Sequence, residues 1–192
     1  QNKSRTNTRK MIIVGALGGI SIFLGISGLG TITLPIFRLT IMHIPVIIGA
    51  ILEGPVVGMS IGLIFGLFSM YQNFTAPVLT SFVFLNPIIA LIPRVLIGVV
   101  AYYSYVFFKK LFKKASIATG IAATLATLTN TIGVLGLIYI LYLDQYAKAL
   151  NISTNAVGGT LLTVGLTNGL PEAIASALIT IPIVLTMLKT RK

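Results

Sequence analysis

The sequence predicts an all-α membrane protein, a compact bundle of six transmembrane helices, and three observations carry that prediction. First, 56% of the residues are hydrophobic and only 9% are charged, whereas a soluble domain carries roughly a quarter charged residues to meet water. Second, uncharged runs repeatedly exceed the roughly 18 residues that a helix needs to cross about 30 Å of hydrocarbon. Third, eleven of the fourteen basic residues fall in three short segments beside apolar runs. These are Lys3, Arg5, Arg9 and Lys10; Lys109, Lys110, Lys113 and Lys114; and Lys189, Arg191 and Lys192. Clusters so placed follow the positive-inside rule and do not form the single basic face that nucleic acid requires.

Segment one is expected from Met11 to Gly28. It reads as a retained helix rather than a signal peptide, because five further segments follow and no A-x-A cleavage pattern stands out. A loop with Pro35 and Arg38 leads to segment two, about Thr40 to Leu52, which is short for a span and can begin inside the protein. Glu53-Gly54-Pro55 reads as a tight turn. Segment three covers Val56 to about Tyr71, and a loop with Asn73 and Pro77 follows. Segment four runs from about Phe82 to Phe108, interrupted by Pro87 and Pro93. Segment five is expected from Ile117 to Leu143, then a polar loop over 144–155, and segment six from Val157 to Leu188.

Six spans place both termini on one side, and the basic residues make that side cytoplasmic. The expected organisation is one transmembrane domain over 1–192, with a cytoplasmic N-terminal tail (1–10), a cytoplasmic basic loop (109–116) and a cytoplasmic C-terminal tail (189–192). Gly54, Gly58, Gly62 and Gly66 recur at i+4, on one helical face, and are expected to let a neighbouring backbone approach closely. Gly15 and Gly19 form a weaker version of that surface.

Ionisable groups inside hydrocarbon cost at least about 2.5–3.5 kcal/mol each, and buried amides need hydrogen-bond partners, so each needs a reason. Arg94 lies within segment four, Asn130 within segment five, and Asn168 and Glu172 within segment six, four apart on one face. Arg38, His43, Tyr71, Asn73 and Asn86 fall near the outer ends of their segments. Together these nine residues gather the polar groups of the membrane toward the extracellular half, where they suit a small-molecule pocket open to the outside. Bland readings stand beside this one. Arg94 and Glu172 can pair only with each other, the asparagines can be interhelical glue, His43 can be an interfacial histidine, and Tyr102, Tyr103 and Tyr105 suit an aromatic belt.

The chain has no cysteine and a single histidine, and it lacks the phosphate-binding G-x-x-x-x-G-K-[ST] loop, H-E-x-x-H and G-x-S-x-G. Neither ATP hydrolysis nor metal or nucleophilic catalysis has its parts, so no enzyme, metal site or cofactor is expected.

The run Ile41-Met42-His43-Ile44-Pro45-Val46-Ile47-Ile48-Gly49-Ala50, continued by Glu53-Gly54-Pro55-Val56-Val57-Gly58, resembles helices two and three of the substrate-binding S components of energy-coupling factor (ECF) transporters. Asn86-Pro87 with Pro93-Arg94-Val95-Leu96-Ile97-Gly98 resembles their fourth helix, and Asn168-Gly169-Leu170-Pro171-Glu172 the start of their last. The resemblance covers nearly the whole chain and is to the pantothenate-type members. It implies a vitamin-capturing subunit that works with a transmembrane T subunit and two ATPase subunits. The family docks on the T subunit through A-x-x-x-A on the first helix. Here Ala16 is followed four residues on by Ile20, a departure from that pattern, and the resemblance then implies Gly15 and Gly19 as the small pair for docking. Arg38, Arg94 and His43 against Glu172 favour an anionic substrate, because arginine pairs a carboxylate through two parallel hydrogen bonds. Pantothenate fits that description; folate, riboflavin and hydroxymethylpyrimidine remain open, as does a proton-coupled secondary transporter. The two halves of the chain, however, lack the repeat common in secondary transporters.

Overall fold

The computed structural model describes residues 2–33 and 38–190. Helix α1 spans Asn2–Ser27 and leads into an antiparallel hairpin, β1 (Thr31–Thr33) and β2 (Arg38–Thr40), with Thr31 opposite Thr40. The helices α2 (Ile44–Glu53), α3 (Pro55–Thr75), α4 (Ser81–Phe84), α5 (Pro87–Phe112) and α6 (Ala115–Leu150) follow. The last span is α7 (Thr154–Val164), a π turn (Gly165–Gly169) and α8 (Leu170–Thr190) in one continuous rod. Five rods are long and apolar enough to cross a membrane, and α2 is the shorter sixth. The protein is a multi-pass membrane bundle.

At ten residues, α2 is about 15 Å long and cannot cross the hydrocarbon alone. Eight of its ten residues are buried, so α2 is the central post of the bundle, and its polar backbone is sheltered by the helices around it. Met42, Ile47, Ile61, Ile97, Ala122 and Val184 belong to the large apolar cluster around it. A smaller cluster unites Val83, Ile89, Val134, Tyr146 and Leu161.

The glycine pattern operates across one helix pair. A Cβ on Gly62 would collide with the carbonyl oxygen of Arg94, one on Gly58 would lie 2.9 Å from the Cα of Gly98, and one on Gly66 2.6 Å from the carbonyl oxygen of Ala90. Three glycines of α3 thus meet Ala90, Arg94 and Gly98 of α5, two i+4 rows in contact through main chain. Gly54 departs from the expected ladder. Nothing lies within 4 Å of its virtual Cβ, and its φ of 102° makes it the left-handed turn between α2 and α3.

Helix α1 is the other correction. It packs through Gly18 against Ile64 and through Gly25 against Phe68 and Met42, while Gly15 and Gly19 meet nothing within 4 Å. The Ser21 hydroxyl fastens this face by donating to the Met42 carbonyl at 3.0 Å. Gly15 and Gly19 therefore mark an open face of α1 rather than a packed one.

Segment boundaries also moved. Segment four breaks at Asn86, where Pro87 starts α5, while Pro93 stays inside α5. Segment five continues to Leu150 through a kink at Tyr142 (φ −132°, ψ 19°), so most of the expected loop over 144–155 is helical. The hairpin was not anticipated either; Thr31-Ile32-Thr33 is β-branched, but three residues are too few to read a period.

Gly62→Leu is expected to destabilise the bundle by 1–3 kcal/mol or more, because overpacking against main chain cannot be relieved by a rotamer change. Gly15→Leu should leave the melting temperature within a degree or so of the parent. Melting curves of the two variants in detergent check both statements.

Candidate substrate cavity

Proline at position 93 shapes the site. It has no N–H and its ring leaves the carbonyl four residues earlier without its helical partner. That carbonyl belongs to Ile89, and Nη1 of Arg94 donates to it at 2.7 Å. The guanidinium is thereby folded along its own helix, buried, with its Cζ 5.4 Å from the Phe84 ring centroid and 5.7 Å from that of Phe65. Two aromatic faces offset part of the cost of holding a cation away from water. Nε of Arg94 is buried and has no hydrogen-bond partner.

A second helix supplies amide and hydroxyl groups. Asn130 of α6 turns an Oδ1 that is also buried and unpartnered, and Thr131 beside it donates to the Thr127 carbonyl at 3.3 Å. The third wall is the π turn. Pro171 lacks the N–H that would continue a regular ladder, and the widened turn just before it accommodates that loss. π turns of this kind are frequent at functional sites. Gly169 brings the turn against Thr131, whose Cγ2 would lie 2.8 Å from an added Cβ. Asn168 in the turn and Glu172 after it then face one space, and Glu172 Oε1 accepts the Thr40 N–H at 2.8 Å. That bond ties the β hairpin to α8.

The cavity has a volume of about 210 Å³ and is lined by Arg94, Asn130, Asn168 and Glu172 together with Thr40, Phe65, Phe84, Thr131, Val134, Leu135, Val164 and Gly169. It lies between the two apolar clusters, to which Phe65 and Val134 belong. Counted along the helices, Arg94 is about 22 Å from Lys109, and Glu172 about 26 Å from Lys189. The cavity is thus displaced toward the end of the bundle opposite the basic residues. Arg94 and Glu172 share its wall without forming an ion pair; the ion pair among the described residues is Arg9 to Glu53, 3.0 Å, at the other end. Simple mutual neutralisation does not explain them.

Four of the nine anticipated residues meet here, and four do not. His43, fully buried, sits beside Thr127 with Nε2 2.9 Å from Oγ1. Thr127 gives its own proton to the Ala123 carbonyl (2.8 Å), so the ring nitrogen is the donor and His43 joins α2 to α6. Asn73 donates to the Ser69 carbonyl and accepts from Ser81, fixing the α3–α4 corner. Asn86 caps α5 by accepting the Ile88 N–H at 2.9 Å and donates to the Tyr142 hydroxyl. Tyr71 is exposed, 6.3 Å from the Phe68 ring. The side chain of Arg38 lies outside the described residues. Thr40, Phe65, Phe84 and Thr131 were not anticipated. Phe65 had one available signal, its place between Gly62 and Gly66 on the helix that packs on Arg94.

A cavity of mixed polar and apolar lining inside a membrane bundle, with the buried guanidinium of Arg94 on its wall, is the kind of place where a small molecule can bind. The chain belongs to the family described as "ECF transporter, substrate-specific component", whose model matches residues 9–184. Among its relatives, the pantothenic acid transporter PanT of Lactococcus lactis subsp. cremoris is 31% identical over 166 residues, covering 79% of each chain. The pantothenate transporter PanT of Leuconostoc mesenteroides subsp. mesenteroides is 36% identical over 98 residues, covering 50% of this chain and 48% of that one. The family and these relatives are transporters, and the membership agrees with the resemblance read from segments two, three, four and six.

Asn86→Ala is expected to lower stability by about 1 kcal/mol through loss of the α5 cap, with ligand affinity unchanged. Chemical denaturation and a binding titration on the same preparation check the pair of outcomes.

Proposed function

We propose that this chain is the substrate-specificity subunit of an ECF transporter for pantothenate, capturing it on the extracellular side for ATP-driven uptake by partner subunits. The observation that carries the reading is the complementarity of two orphaned atoms in one cavity. Nε of Arg94 needs an acceptor and Oδ1 of Asn130 needs a donor, and buried polar groups left unpaired cost about 1–3 kcal/mol each. Because Nη1 is held by Ile89, the Nε–Nη2 edge of the guanidinium is the part left for a ligand, and a carboxylate docks on such an edge with two parallel bonds. Pantothenate offers a carboxylate for Arg94, and an amide N–H and two hydroxyls for Asn130, Asn168 and the carboxylate of Glu172. The cavity is smaller than the roughly 300–1,000 Å³ of drug-sized sites, which favours this compact molecule over folate or riboflavin. The names of the two relatives support the same choice.

In this reading His43, Asn73 and Asn86 hold the helices that present the cavity, and Arg38 and Tyr71 stand at its outer approach. The termini and the 109–116 turn face the cytoplasm, as their lysines and arginines suggest. The open face of α1 at Gly15 and Gly19 is the docking surface for the transmembrane T subunit, which brings the two ATPases. Arg9 and Glu53 brace α1 on the α2–α3 turn at that end.

Arg94→Lys is expected to weaken pantothenate binding by roughly 10–150-fold, the worth of hydrogen bonds to a charged group, while leaving the melting temperature close to the parent's. Lysine keeps the charge but has no planar fork. Calorimetric titration with pantothenate measures it; near-parental affinity in Arg94→Lys removes the carboxylate contact from the proposal. Purified protein alone in proteoliposomes should bind pantothenate and accumulate none of it, whatever proton gradient is applied.

A further inference from the structure

We infer that the basic end of the α6–α8 face holds an anionic phospholipid, with its headgroup on the lysines of the α5–α6 turn and one acyl chain in a groove between α6 and α8. The groove has a volume of about 460 Å³ and is lined by Ser116, Ile117, Gly120, Ile121, Thr124, Leu125, Ala177 and Ile181. It begins two residues from Lys114 and follows α6 for about 14 Å toward the membrane interior. Gly120 deepens it, since an added Cβ would lie 3.2 Å from Ile181 Cδ1.

The mouth decides the occupant. Lys109, Lys110, Lys113 and Lys114 are all exposed there, and among the described residues none has an ion-pair partner. Lys113 takes a left-handed conformation (φ 55°) that ends α5, so α6 restarts after a single extended residue, Lys114. Lys113 and Lys114 are held beside Ser116 by that turn rather than spread along a loop. Leu111 and Phe112, between the two lysine pairs, and Ile117, just after the second pair, are exposed apolar residues. A groove that is apolar along its length and cationic at one end matches an amphiphile with an anionic head, and a basic cluster at a membrane boundary attracts anionic lipid at about 1 kcal/mol per lysine. Positive-inside topology accounts for lysines at this end; it does not account for a chain-sized groove opening directly beneath them.

The groove and the substrate cavity share α6 and α8 but no lining residue, so the two sites can be tested apart. Native mass spectrometry of the full chain, titrated with phosphatidylglycerol or phosphatidylcholine of identical chains, reads the lipid directly. Phosphatidylglycerol adducts should survive on the wild type where phosphatidylcholine is lost. Lys113→Gln with Lys114→Gln should weaken retention about 30-fold, the product of two such lysine contributions. Thr124→Leu, which fills the groove, should abolish retention, and pantothenate affinity should be unchanged in both variants. Equal retention of the two lipids, or unaltered phosphatidylglycerol retention in the lysine or the groove variant, overturns the inference. A single cysteine at Thr124→Cys, readily labelled because the chain has no other cysteine, adds a further outcome. Shielding by the assembled transporter without any lipid adduct would make the groove a subunit interface and equally overturn it.

Discussion

The contact between α3 and α5 is the constraint on which the rest of the bundle depends. Glycine at 58, 62 and 66 lets the two main chains meet where any side chain would collide with Arg94, Ala90 or Gly98. In hydrocarbon there is little hydrophobic force to press helices together, and association relies on close van der Waals contact and hydrogen bonds. The same contact therefore stabilises the fold and fixes the height of Arg94. Because Gly62 rests on the carbonyl of Arg94 itself, a shift of α3 would move the guanidinium with it.

Around that pair, polar groups are placed by breaks in helical regularity. Pro93 exposes the Ile89 carbonyl that steers Arg94. The π turn ahead of Pro171 directs Asn168 and Glu172 to the same space, and Gly54 allows α2 to turn back into the core. Each break costs local helix stability and is tolerated because neighbouring helices resupply contacts. The hydrogen bond from Thr40 to Glu172 then joins the hairpin to α8 over the cavity. A cavity assembled this way is held by main-chain geometry from four separate elements, so the orientation of its lining groups is already set.

The chain also uses its two ends differently. Polar but nearly uncharged loops surround the cavity end, and lysines surround the other. Arg9 crossing to Glu53 links α1 to the α2–α3 turn at the basic end, while along its length α1 lays one face on the bundle, with Val14, Leu17 and Ile22 against the core and Gly18, Ser21 and Gly25 in close contact.

The sequence by itself determined the solvent in which this protein folds and the number of its rods. Burial in lipid demands long uncharged stretches, and those are visible residue by residue. It also singled out Arg94, Asn130, Asn168 and Glu172, because a polar group in hydrocarbon is costly enough to be conspicuous. The tertiary structure decided the rest. His43, Asn73 and Asn86 looked like the same kind of residue, yet each is consumed in a local bond, to Thr127, Ser81 and Tyr142 respectively. Whether a polar side chain is satisfied by its neighbours or left facing a cavity depends on distances between helices far apart in sequence. Phe65, Phe84 and Thr40 went unseen for the complementary reason: an apolar or hydroxyl residue is ordinary in such a chain, and acquires a role only when packing sets it beside a buried cation or over a cavity. Gly15 and Gly54 carry the same lesson in the backbone, where a repeat of spacing marks a helical face but only the neighbouring helix determines whether that face is filled.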